Sequence, residues 1–411
     1  MQESMSNVYN AKMPEIVVQK YGGTSVGSID RIKEIAKKII SSRETGKLII
    51  VVVSAMGNTT NKLLDITKQI SNNPSKREID ALLTTGEQQS IALLTMAIQE
   101  YGHSAISLTG FQAGINTVGD NCNSRIFEIN YDKIYELLQQ YKIVVVAGFQ
   151  GINDLGDLTT LGRGGSDTTA VALAAKFSCP CEIYTDVNGV YTIDPNIFPS
   201  ARKHEVISYD EMIEMAKLGA KVLDKRAAAL AKKFDVPIYI AKSDGTEVGT
   251  FIRRRDLVEE NSIVGIALRQ DLISIKLSNI TADEVLNVID GFEGMGVELI
   301  SVHTVLEDDE KISVFLTSTK EYTSIIEKVE DKLKKRLKGL KIKSNSNLTQ
   351  LSVVGDGLKN QAEVFTKIFK TLRDNDINYK TITSTDTNIT FYIKEQENYK
   401  AINSLVREFN L

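Results

Sequence analysis

The segment Leu48–Val53 (LIIVVV) limits the fold more than any other part of the sequence, because the run contains no polar position. A strand with one solvated face alternates apolar and polar residues, whereas a strand covered on both faces is apolar throughout. Strands of the second kind occur in parallel sheets with helices on both faces. The segment therefore predicts an α/β fold built on a buried, mostly parallel sheet.

Strand and helix patterns alternate along the rest of the first 255 residues, as such a sheet requires. Helical spacing follows the polar start Ser28–Asp30, recurs before Ile70, and begins again after Thr84-Thr85-Gly86-Glu87. Further strands are predicted at Ile16–Gln19, Ser104–Leu108, Ile143–Ala147, Glu182–Thr185 and Pro237–Ala241.

The pattern changes after a charged connection near residues 255–262. Beyond it the order strand, helix, strand, strand, helix, strand occurs twice, beginning at Leu272–Leu277 and at Leu351–Val354. A repeated βαββαβ unit indicates a tandem of ferredoxin-like modules. We therefore expect a catalytic domain at 14–255 and two small modules at 263–340 and 348–411.

Composition excludes several classes of protein. The 411 residues carry 49 basic and 53 acidic side chains, so the net charge of −4 argues against a nucleic-acid partner. No apolar run approaches the roughly 20 residues of a membrane helix. The polar leader Met1–Met13 lacks the layout of a secretory signal. These features predict a cytoplasmic protein without a membrane partner.

Cysteine and histidine are too rare for several common kinds of site. The three cysteines are Cys122, Cys179 and Cys181, an odd number and too few for a disulfide framework. We expect Cys179 and Cys181 to be buried small side chains at a strand entrance rather than a metal or redox pair. The three histidines have no metal-ligand spacing, which argues against a zinc hydrolase.

The first glycine motif, Lys20-Tyr21-Gly22-Gly23-Thr24-Ser25, lies where the first strand ends and a helix is about to begin. Ligands of open α/β sheets bind at the carboxyl ends of strands. Backbone N–H groups of paired glycines can approach phosphate oxygens, and Lys20 adds a positive charge. A simple Gly-Gly turn with a solvated lysine is an equally good interpretation of this motif alone.

The second glycine motif, Gly162–Thr169 (GRGGSDTT), precedes a helix of small residues. Ser166 or Asp167 could act merely as the N-cap of that helix. However, the segment also offers the Arg163 guanidinium, which suits a carboxylate, and bare glycine amides, which suit an anion. Two such loops in one domain favour a phosphoryl-transfer site.

Other polar residues follow predicted strands or begin helices, and each has an ordinary structural explanation as well. Glu87 is predicted to open a helix, where the helix dipole favours an acid anyway. The turn residues after the strand that ends at Thr185-Asp186 are explained by turn chemistry, although an aromatic there could stack on a base. The remaining candidates are Ser54, Asn58–Asn61, Tyr191 and Lys221.

Taken in order, these segments resemble the aspartokinase family, which has the amino-acid kinase fold followed by paired ACT modules. The motifs that carry the resemblance extend over nearly the whole first domain. They are VVQKYGGTSVGS (17–28), VVVSAMGNTTN (51–61), LTTGEQ (83–88), LTGFQAGI (108–115), VVAGFQGI (145–152), LGRGGSDTT (161–169), YTDVNGVYTIDP (184–195) and ISYDEMIEMAKLGAKVL (207–223).

The resemblance implies ATP-dependent phosphorylation of the L-aspartate β-carboxylate, the first step of lysine, threonine and methionine biosynthesis. A carboxylate is ionised at neutral pH, so this nucleophile needs no general base and the absence of a placed histidine is expected. Phosphoryl transfer requires positioning and positive charge instead. By resemblance, Lys20 stabilises the transferring phosphoryl group and Asp167 organises the cations. Mg²⁺ bridges the ATP phosphates without a direct protein ligand.

The resemblance also assigns the binding residues. Those expected around aspartate, with Glu87 facing its amino group, are Ser54, Thr60, Glu87, Arg163, Gly164, Gly165 and Ser166. Those expected around ATP are Lys20, Tyr21, Gly22, Gly23, Thr185, Asp186, Tyr191, Asn196, Lys221 and Val222. Those expected around an amino-acid effector of the ACT pair, lysine or alternatively threonine, are Ser278, Asn279, Val297, Glu298, Ser384 and Thr385. Because ACT pairs work across subunit interfaces, a homodimer or a dimer of dimers is expected.

Four positions depart from the family pattern. Asn196 replaces an arginine that follows Asp-Pro, and Asp224-Lys225 replaces His-Pro or Gln-Pro. In the first module Val302-His303-Thr304 replaces Thr-Ser-Glu, and the glycine expected around Ser278–Asp283 is missing. The second module keeps the theme better, as Ser384-Thr385-Asp386. These changes concern the nucleotide contacts and the identity of the effector.

Two other functions are compatible with the fold. One is a kinase of the same fold that acts on glutamate, N-acetylglutamate, carbamate or UMP, although the paired modules and the motif Arg163–Asp167 argue against it. The other is a non-catalytic amino-acid sensor, which the loss of Lys20, Asp167 or Glu87 would have favoured. All three residues are present.

Overall fold

The computed structural model describes residues 15–71, 73–245, 247–254, 263–307, 311–358 and 362–411. The described residues form two compact units. The first contains 15–191, 202–217 and 221–254, and the second contains 192–201, 218–220 and the described residues from 263 onward. The predicted boundary at 255–262 lies outside the described residues.

The first unit alternates strands and helices as predicted. Its elements are β1 (Ile16–Tyr21), α1 (Ile29–Glu44), β2 (Leu48–Val53), α2 (Thr59–Ile70), α3 (Lys76–Glu100), β3 (Ala105–Leu108), β4 (Ile115–Val118), β5 (Arg125–Ile129), α4 (Tyr131–Tyr141), β6 (Ile143–Ala147), β7 (Gln150–Ile152), β8 (Leu158–Thr160), α5 (Gly165–Phe177), β9 (Cys181–Thr185), β10 (Val206–Ile207), α6 (Tyr209–Leu218), α7 (Lys225–Phe234), β11 (Ile238–Lys242) and β12 (Thr250–Ile252).

An eight-stranded sheet with the order β10-β12-β11-β9-β1-β2-β6-β3 forms the centre of this unit. The strands from β11 to β3 are parallel to their neighbours, and β12 is antiparallel to β11. Every residue of β2 is buried, which confirms the α/β fold predicted from Leu48–Val53. A separate sheet with the order β5-β4-β7-β8 completes the unit.

The second unit contains one six-stranded antiparallel sheet with the order β14-β15-β13-β16-β18-β17. Its elements are β13 (Ile263–Ile280), α8 (Ala282–Glu293), β14 (Leu299–Leu306), β15 (Ile312–Thr319), α9 (Thr323–Arg336), β16 (Lys341–Gly355), α10 (Ala362–Asp374), β17 (Tyr379–Ser384), β18 (Asn388–Lys394) and α11 (Asn398–Phe409).

The long strands β13 and β16 join the two modules of this sheet, and here the structure differs from the predicted tandem order. The second half of β13 pairs with β15 and with the first half of β16. The first half of β13, Ile263–Arg269, pairs instead with Gln350–Gly355 in the second half of β16, which also pairs with β18. Ile263–Arg269 precedes the first strand predicted for this unit, Leu272–Leu277. The second module therefore takes one strand from a segment that precedes the first module.

The cysteines are all unpaired, and Cys179 and Cys181 are buried at the start of β9, as predicted. Within the described residues, none of the helices combines the length and the apolar character needed to cross a bilayer.

Candidate active site

The carboxyl ends of the parallel strands bring the predicted residues of the first unit to one edge of the sheet. Lys20 is the penultimate residue of β1, Ser54 follows β2, and Thr185 ends β9. Since β1 pairs in parallel register with both β2 and β9, these three positions lie side by side. This edge is where open α/β sheets bind their ligands.

Lys20 and Asp167 form a buried ion pair at this edge. The Lys20 Nζ lies 2.5 Å from Asp167 Oδ1, and the two residues are only 8% and 9% exposed. Asp167 comes from the first turn of α5. The structure thus joins the two residues predicted as catalytic, although they are far apart in the sequence.

The Gly22-Gly23 turn is closed by backbone hydrogen bonds. The Gly22 N–H donates to Tyr184 O at 3.2 Å, and Gly23 O accepts from Gly57 N at 2.9 Å. A Cβ on Gly23 would lie 2.7 Å from Ala55 O, so the close approach of the two loops requires glycine. The prediction that both glycines offer amides to phosphate needs correction, because the Gly22 N–H is already engaged. Gly22 lies beside the Lys20 ammonium, since a Cβ there would lie 3.6 Å from Nζ, an ordinary contact distance.

The prediction that Glu87 opens a helix is wrong, because Glu87 lies in the interior of α3. The residues interpreted as a helix start continue the helix instead. The Thr84 and Thr85 hydroxyls donate to carbonyls three residues earlier, at 3.0 and 2.7 Å, which satisfies them within the helix. Gly86 allows the helix to approach the loop after β2, since a Cβ there would lie 2.8 Å from Ala55 Cβ.

This close approach places a carboxylate in an apolar environment. Glu87 is 3% exposed, and its Oε1 accepts a hydrogen bond from Ala55 N at 3.0 Å. Its Oε2 is buried and has no hydrogen-bond partner among the described residues. Burial raises the pKa of Glu87 to about 7, although the Ala55 amide opposes this change. A ligand with a positive charge would satisfy the second oxygen.

The loop Leu161–Gly165 carries Arg163 at its exposed tip. Gly162 and Gly164 have φ values of +78° and +71°, which favour glycine. Gly164 is the N-cap of α5. Ser166 and Asp167 therefore lie inside the first turn, and the interpretation of either as the cap is excluded.

Two predicted aspartate-binding residues lie beside the glycine turn. Ser54 is half-buried, and its N–H donates to Tyr21 O at 3.2 Å. Thr60 lies in the first turn of α2. The structure thus places both residues after β2, at the same edge of the sheet as Lys20.

The residues predicted to hold the nucleotide are only partly grouped by the structure. Thr185 Oγ1 donates to Asp186 Oδ1 at 2.9 Å, and Tyr191 forms an isolated antiparallel bridge with Lys203. Lys221 and Val222 immediately precede α7. Asn196 belongs to the second unit, where its N–H and Nδ2 bond Asp194 Oδ1 at 2.9 and 3.0 Å.

The predicted effector residues occupy turns of the second unit. Ser278 lies near the end of β13, and Asn279, in the segment where the glycine of the family pattern is missing, has a φ of +67°. Val297 and Glu298 connect α8 to β14. Ser384 and Thr385 lie at the end of β17, and β14 and β17 are opposite edges of the sheet. Within one chain, the structure does not bring these three pairs together.

Three residues with contacts at this site had no assigned role in the sequence. Phe149 follows β6 with a φ of +69°, and its N–H donates to Thr169 Oγ1 at 3.1 Å. Asp224 caps α7, and burial together with the nearby Asp167 carboxylate raises its pKa. Arg226 bonds the Leu161 carbonyl. Phe149 lies in the motif at 145–152 and Asp224 is a departure from the family pattern, whereas Arg226 had no sequence signal.

Comparison with known proteins agrees with this geometry. Residues 15–242 match the model of the amino acid kinase family, and residues 351–409 match an ACT domain model. The chain is 42% identical to aspartokinase 2 of Bacillus subtilis over 402 residues, which cover 96% of this chain and 98% of that protein.

Two solved structures of aspartokinase III from E. coli have the same fold. The complex with aspartate and ADP has a TM-score of 0.75 at 21% identity and covers 97% of this chain and 100% of that one. The complex with lysine and aspartate has a TM-score of 0.72 at 22% identity and covers 96% of this chain and 99% of that one.

Proposed function

The chain belongs to the aspartokinase family of amino acid kinases, and we propose from this premise that it transfers the γ-phosphoryl group of ATP to the β-carboxylate of L-aspartate. The product is 4-phospho-L-aspartate, the first intermediate of the pathway to lysine, threonine and methionine. The attacking carboxylate is ionised at neutral pH, so the site needs to supply position and positive charge only.

The buried Lys20–Asp167 pair supports the catalytic roles. Asp167 holds the Lys20 ammonium at 2.5 Å, beside Gly22 of the glycine turn. A fixed ammonium stabilises charge that develops on the transferring phosphoryl oxygens without the cost of reorganisation. Asp167 thus orients Lys20, and Lys20 acts on the phosphoryl group.

The observation that carries the choice of substrate is the buried Glu87 Oε2 without a hydrogen-bond partner. An α-ammonium group supplies the charge and the hydrogen that this oxygen lacks. Arg163, on the exposed tip of its loop, supplies a guanidinium for the α-carboxylate. An acceptor without a free amino group, such as N-acetylglutamate, carbamate or UMP, would leave Glu87 unsatisfied. The acceptor is therefore a free amino acid.

Mg²⁺ is proposed to enter with the ATP phosphates. Hard oxygen ligands suit this ion, which in kinases binds substrate phosphates and a small number of carboxylates. Asp167, the carboxylate at the phosphoryl end of the site, offers oxygen donors and fits this chemistry. When bound, the ion neutralises phosphate charge. Thr185, Asp186, Tyr191, Lys221 and Val222 are proposed to contact the nucleotide.

Regulation by an amino acid is proposed for the second unit, with lysine first and threonine as the alternative. The ACT match at 351–409 supports a small effector, and the E. coli structure with lysine illustrates one.

The edge strand β14 carries exposed Val305 and Leu306, 50% and 66% exposed, which supports a homodimer or dimer of dimers. We also propose a cytoplasmic location. Mass measurement by light scattering, with each amino acid added separately and together, tests assembly and effector identity.

A hydroxamate assay tests the proposed reaction. With ATP and Mg²⁺, L-aspartate should give acyl phosphate, whereas L-glutamate, N-acetyl-L-aspartate and carbamate should give little. Product from N-acetyl-L-aspartate at the rate of L-aspartate would reject the role of Glu87. The absence of product from L-aspartate, with product from another acceptor, would reject the proposed function.

A further inference from the structure

The loop Leu161–Gly165 requires anchors outside itself if it is to hold Arg163 in one place. Its glycines at 162 and 164 adopt left-handed conformations and contribute no side chains. Glycine makes a loop flexible in the unfolded chain and costs more entropy to order than any other residue. Backbone bonds from Leu161 N to Phe149 O at 2.9 Å and from Gly165 N to Gly162 O at 3.0 Å hold its ends, and further contacts come from the start of α7.

Arg226 anchors the first half of the loop. Its Nη1 donates to Leu161 O at 2.5 Å and to Asn123 Oδ1 at 3.3 Å, and its Nη2 donates to Ser124 O at 3.0 Å. Ser124 N in turn donates to Thr160 O at 2.9 Å. One planar guanidinium thus ties the strand end before Arg163 to the segment 123–124.

Asp224 anchors the second half. Its Oδ1 accepts from Arg226 N and Ala227 N at 2.8 and 3.4 Å, which caps α7. Its own N–H donates to Asp167 Oδ2 at 3.4 Å. A Cβ on Gly164 would overlap the Asp224 side chain, so the two residues pack directly against each other. Asp224 therefore contacts both the loop and the carboxylate that holds Lys20.

We propose that Asp224 and Arg226 are positioning residues for phosphoryl transfer, a role that rests on the proposed function. Arg226 fixes the loop that presents Arg163 to the acceptor, and Asp224 fixes Asp167 and through it Lys20. Their main effects differ, because both residues contact the loop but only Asp224 also contacts Asp167. Loss of Arg226 affects the binding of the acceptor amino acid, whereas loss of Asp224 affects the transfer step.

Limited proteolysis tests the anchoring without any measurement of activity. Trypsin cleaves after exposed arginines in mobile loops, so Arg226→Ala should speed cleavage at Arg163 by about tenfold or more. Mass spectrometry of the fragments identifies the cleavage site and gives its rate. Ala228→Gly is the matched control, because Ala228 is fully buried in the same helix and touches neither half of the loop through a side-chain hydrogen bond. Equal acceleration in Ala228→Gly, or none in Arg226→Ala, would overturn the anchoring role.

Steady-state kinetics separates the two anchors. Arg226→Ala should raise KM for aspartate by about 10- to 100-fold and leave KM for ATP within about twofold, since small misplacements of a binding group have effects of this size. Asp224→Ala should mainly lower kcat. Asp224→Asn should restore most of it, because asparagine also caps a helix and so holds the backbone N–H of residue 224 in place, which alanine does not. Lys233→Ala, on the exposed side of α7, should match the wild type.

Failure of the proposed function and failure of the positioning roles of Asp224 and Arg226 give different results. If wild-type protein forms no aspartyl phosphate, the proposed function is wrong, while the proteolysis result still decides the anchoring. If the wild type is active and Arg226→Ala changes both KM values equally, or Asp224→Asn is no better than Asp224→Ala, the positioning roles are wrong.

Discussion

The Lys20 ammonium and the Asp167 carboxylate lie 2.5 Å apart in a site where both side chains are almost fully enclosed. In the protein without ligands, each therefore supplies a close counter-charge to the other. Removal of one partner leaves an uncompensated buried charge, which costs about 3 kcal/mol or more.

We expect Lys20→Ala and Asp167→Ala each to lower kcat by about 100-fold or more, because the transferring phosphoryl group loses its oriented cation. The double variant should lose little more than Lys20→Ala alone and should unfold at a higher urea concentration than either single variant. A double-mutant cycle on kcat and on the free energy of unfolding checks this. Additive losses in both quantities would contradict the pairing.

The raised pKa of Glu87 predicts that aspartate binds more weakly in mild acid. Only ionised Glu87 attracts the α-ammonium, so KM for aspartate should rise as pH falls below about 7, by at most about tenfold per pH unit. The charge of aspartate itself changes little between about pH 5.5 and 8, so the change in KM reports Glu87. Calorimetry in buffers of different ionisation enthalpy should detect proton release on binding. Glu87→Gln should give a high KM that does not vary over this range.

The same carboxyl links stability to pH in the absence of ligand. Glu87 has a folded pKa of about 7 against an ordinary value of 4.5, so the folded protein binds this proton more tightly than the unfolded chain. Its contribution is complete below about pH 4.5 and is lost as pH rises through about 7, a difference of about 3 kcal/mol. Urea unfolding at several pH values should show this loss in the wild type, whereas an identical slope in Glu87→Gln would contradict it.

Gly86→Ala should push α3 away from the loop that follows β2. The new Cβ would meet Ala55 Cβ at 2.8 Å, so we expect a loss of about 1–3 kcal/mol in stability and a raised KM for aspartate. Gly291→Ala in α8 is the matched control. Its nearest neighbour would lie at 3.4 Å, and alanine favours a helix by about 0.5–1 kcal/mol. The midpoint temperature of thermal unfolding should therefore fall for Gly86→Ala and rise for Gly291→Ala.

Asn279→Gly should leave the second unit folded, whereas Asn279→Val should destabilise it by about 1–2 kcal/mol. The φ of +67° at this position is accessible to asparagine and glycine but strained for a β-branched residue. Both variants lose the bond from Asn279 Nδ2 to Gly339 O, 2.9 Å, so the difference between them reports the backbone strain. The midpoint of urea unfolding measures the difference, and equal stability of the two variants would contradict the strain.

The fold of the first unit could be predicted because its signals are local. An apolar run such as Leu48–Val53 reports burial on both faces, and the polar start at Ser28 does cap α1, by accepting from Arg31 N at 3.3 Å. The helix that contains Glu87 shows the limit of this reasoning. Thr-Thr-Gly-Glu is a good helix start by composition, and only the packing of Gly86 on Ala55 shows why a glycine lies inside the helix.

The site could be predicted in part for the same reason. Lys20 and Asp167 carry motif signals, but the ion pair between them depends on the order of strands in the sheet. Arg226 shows what local reasoning misses. An arginine in a helix of alanines and lysines has no distinctive pattern, and its partners at 124 and 161 are distant in the sequence.

The shared strands β13 and β16 also constrain how the chain can be synthesised and shortened. Ile263–Arg269 leaves the ribosome well before its partner Gln350–Gly355, and the whole first module is an insertion between them. The backbone hydrogen-bonding groups of Ile263–Arg269 therefore stay unpaired until the later segment has been synthesised. The pairing is a contact of high sequence separation. Truncation after α9 would remove β16 and leave Ile263–Arg269 without its partner strand. Shortening the chain from its C-terminus therefore cannot remove the second module and leave an intact first one, because both share β13 and β16.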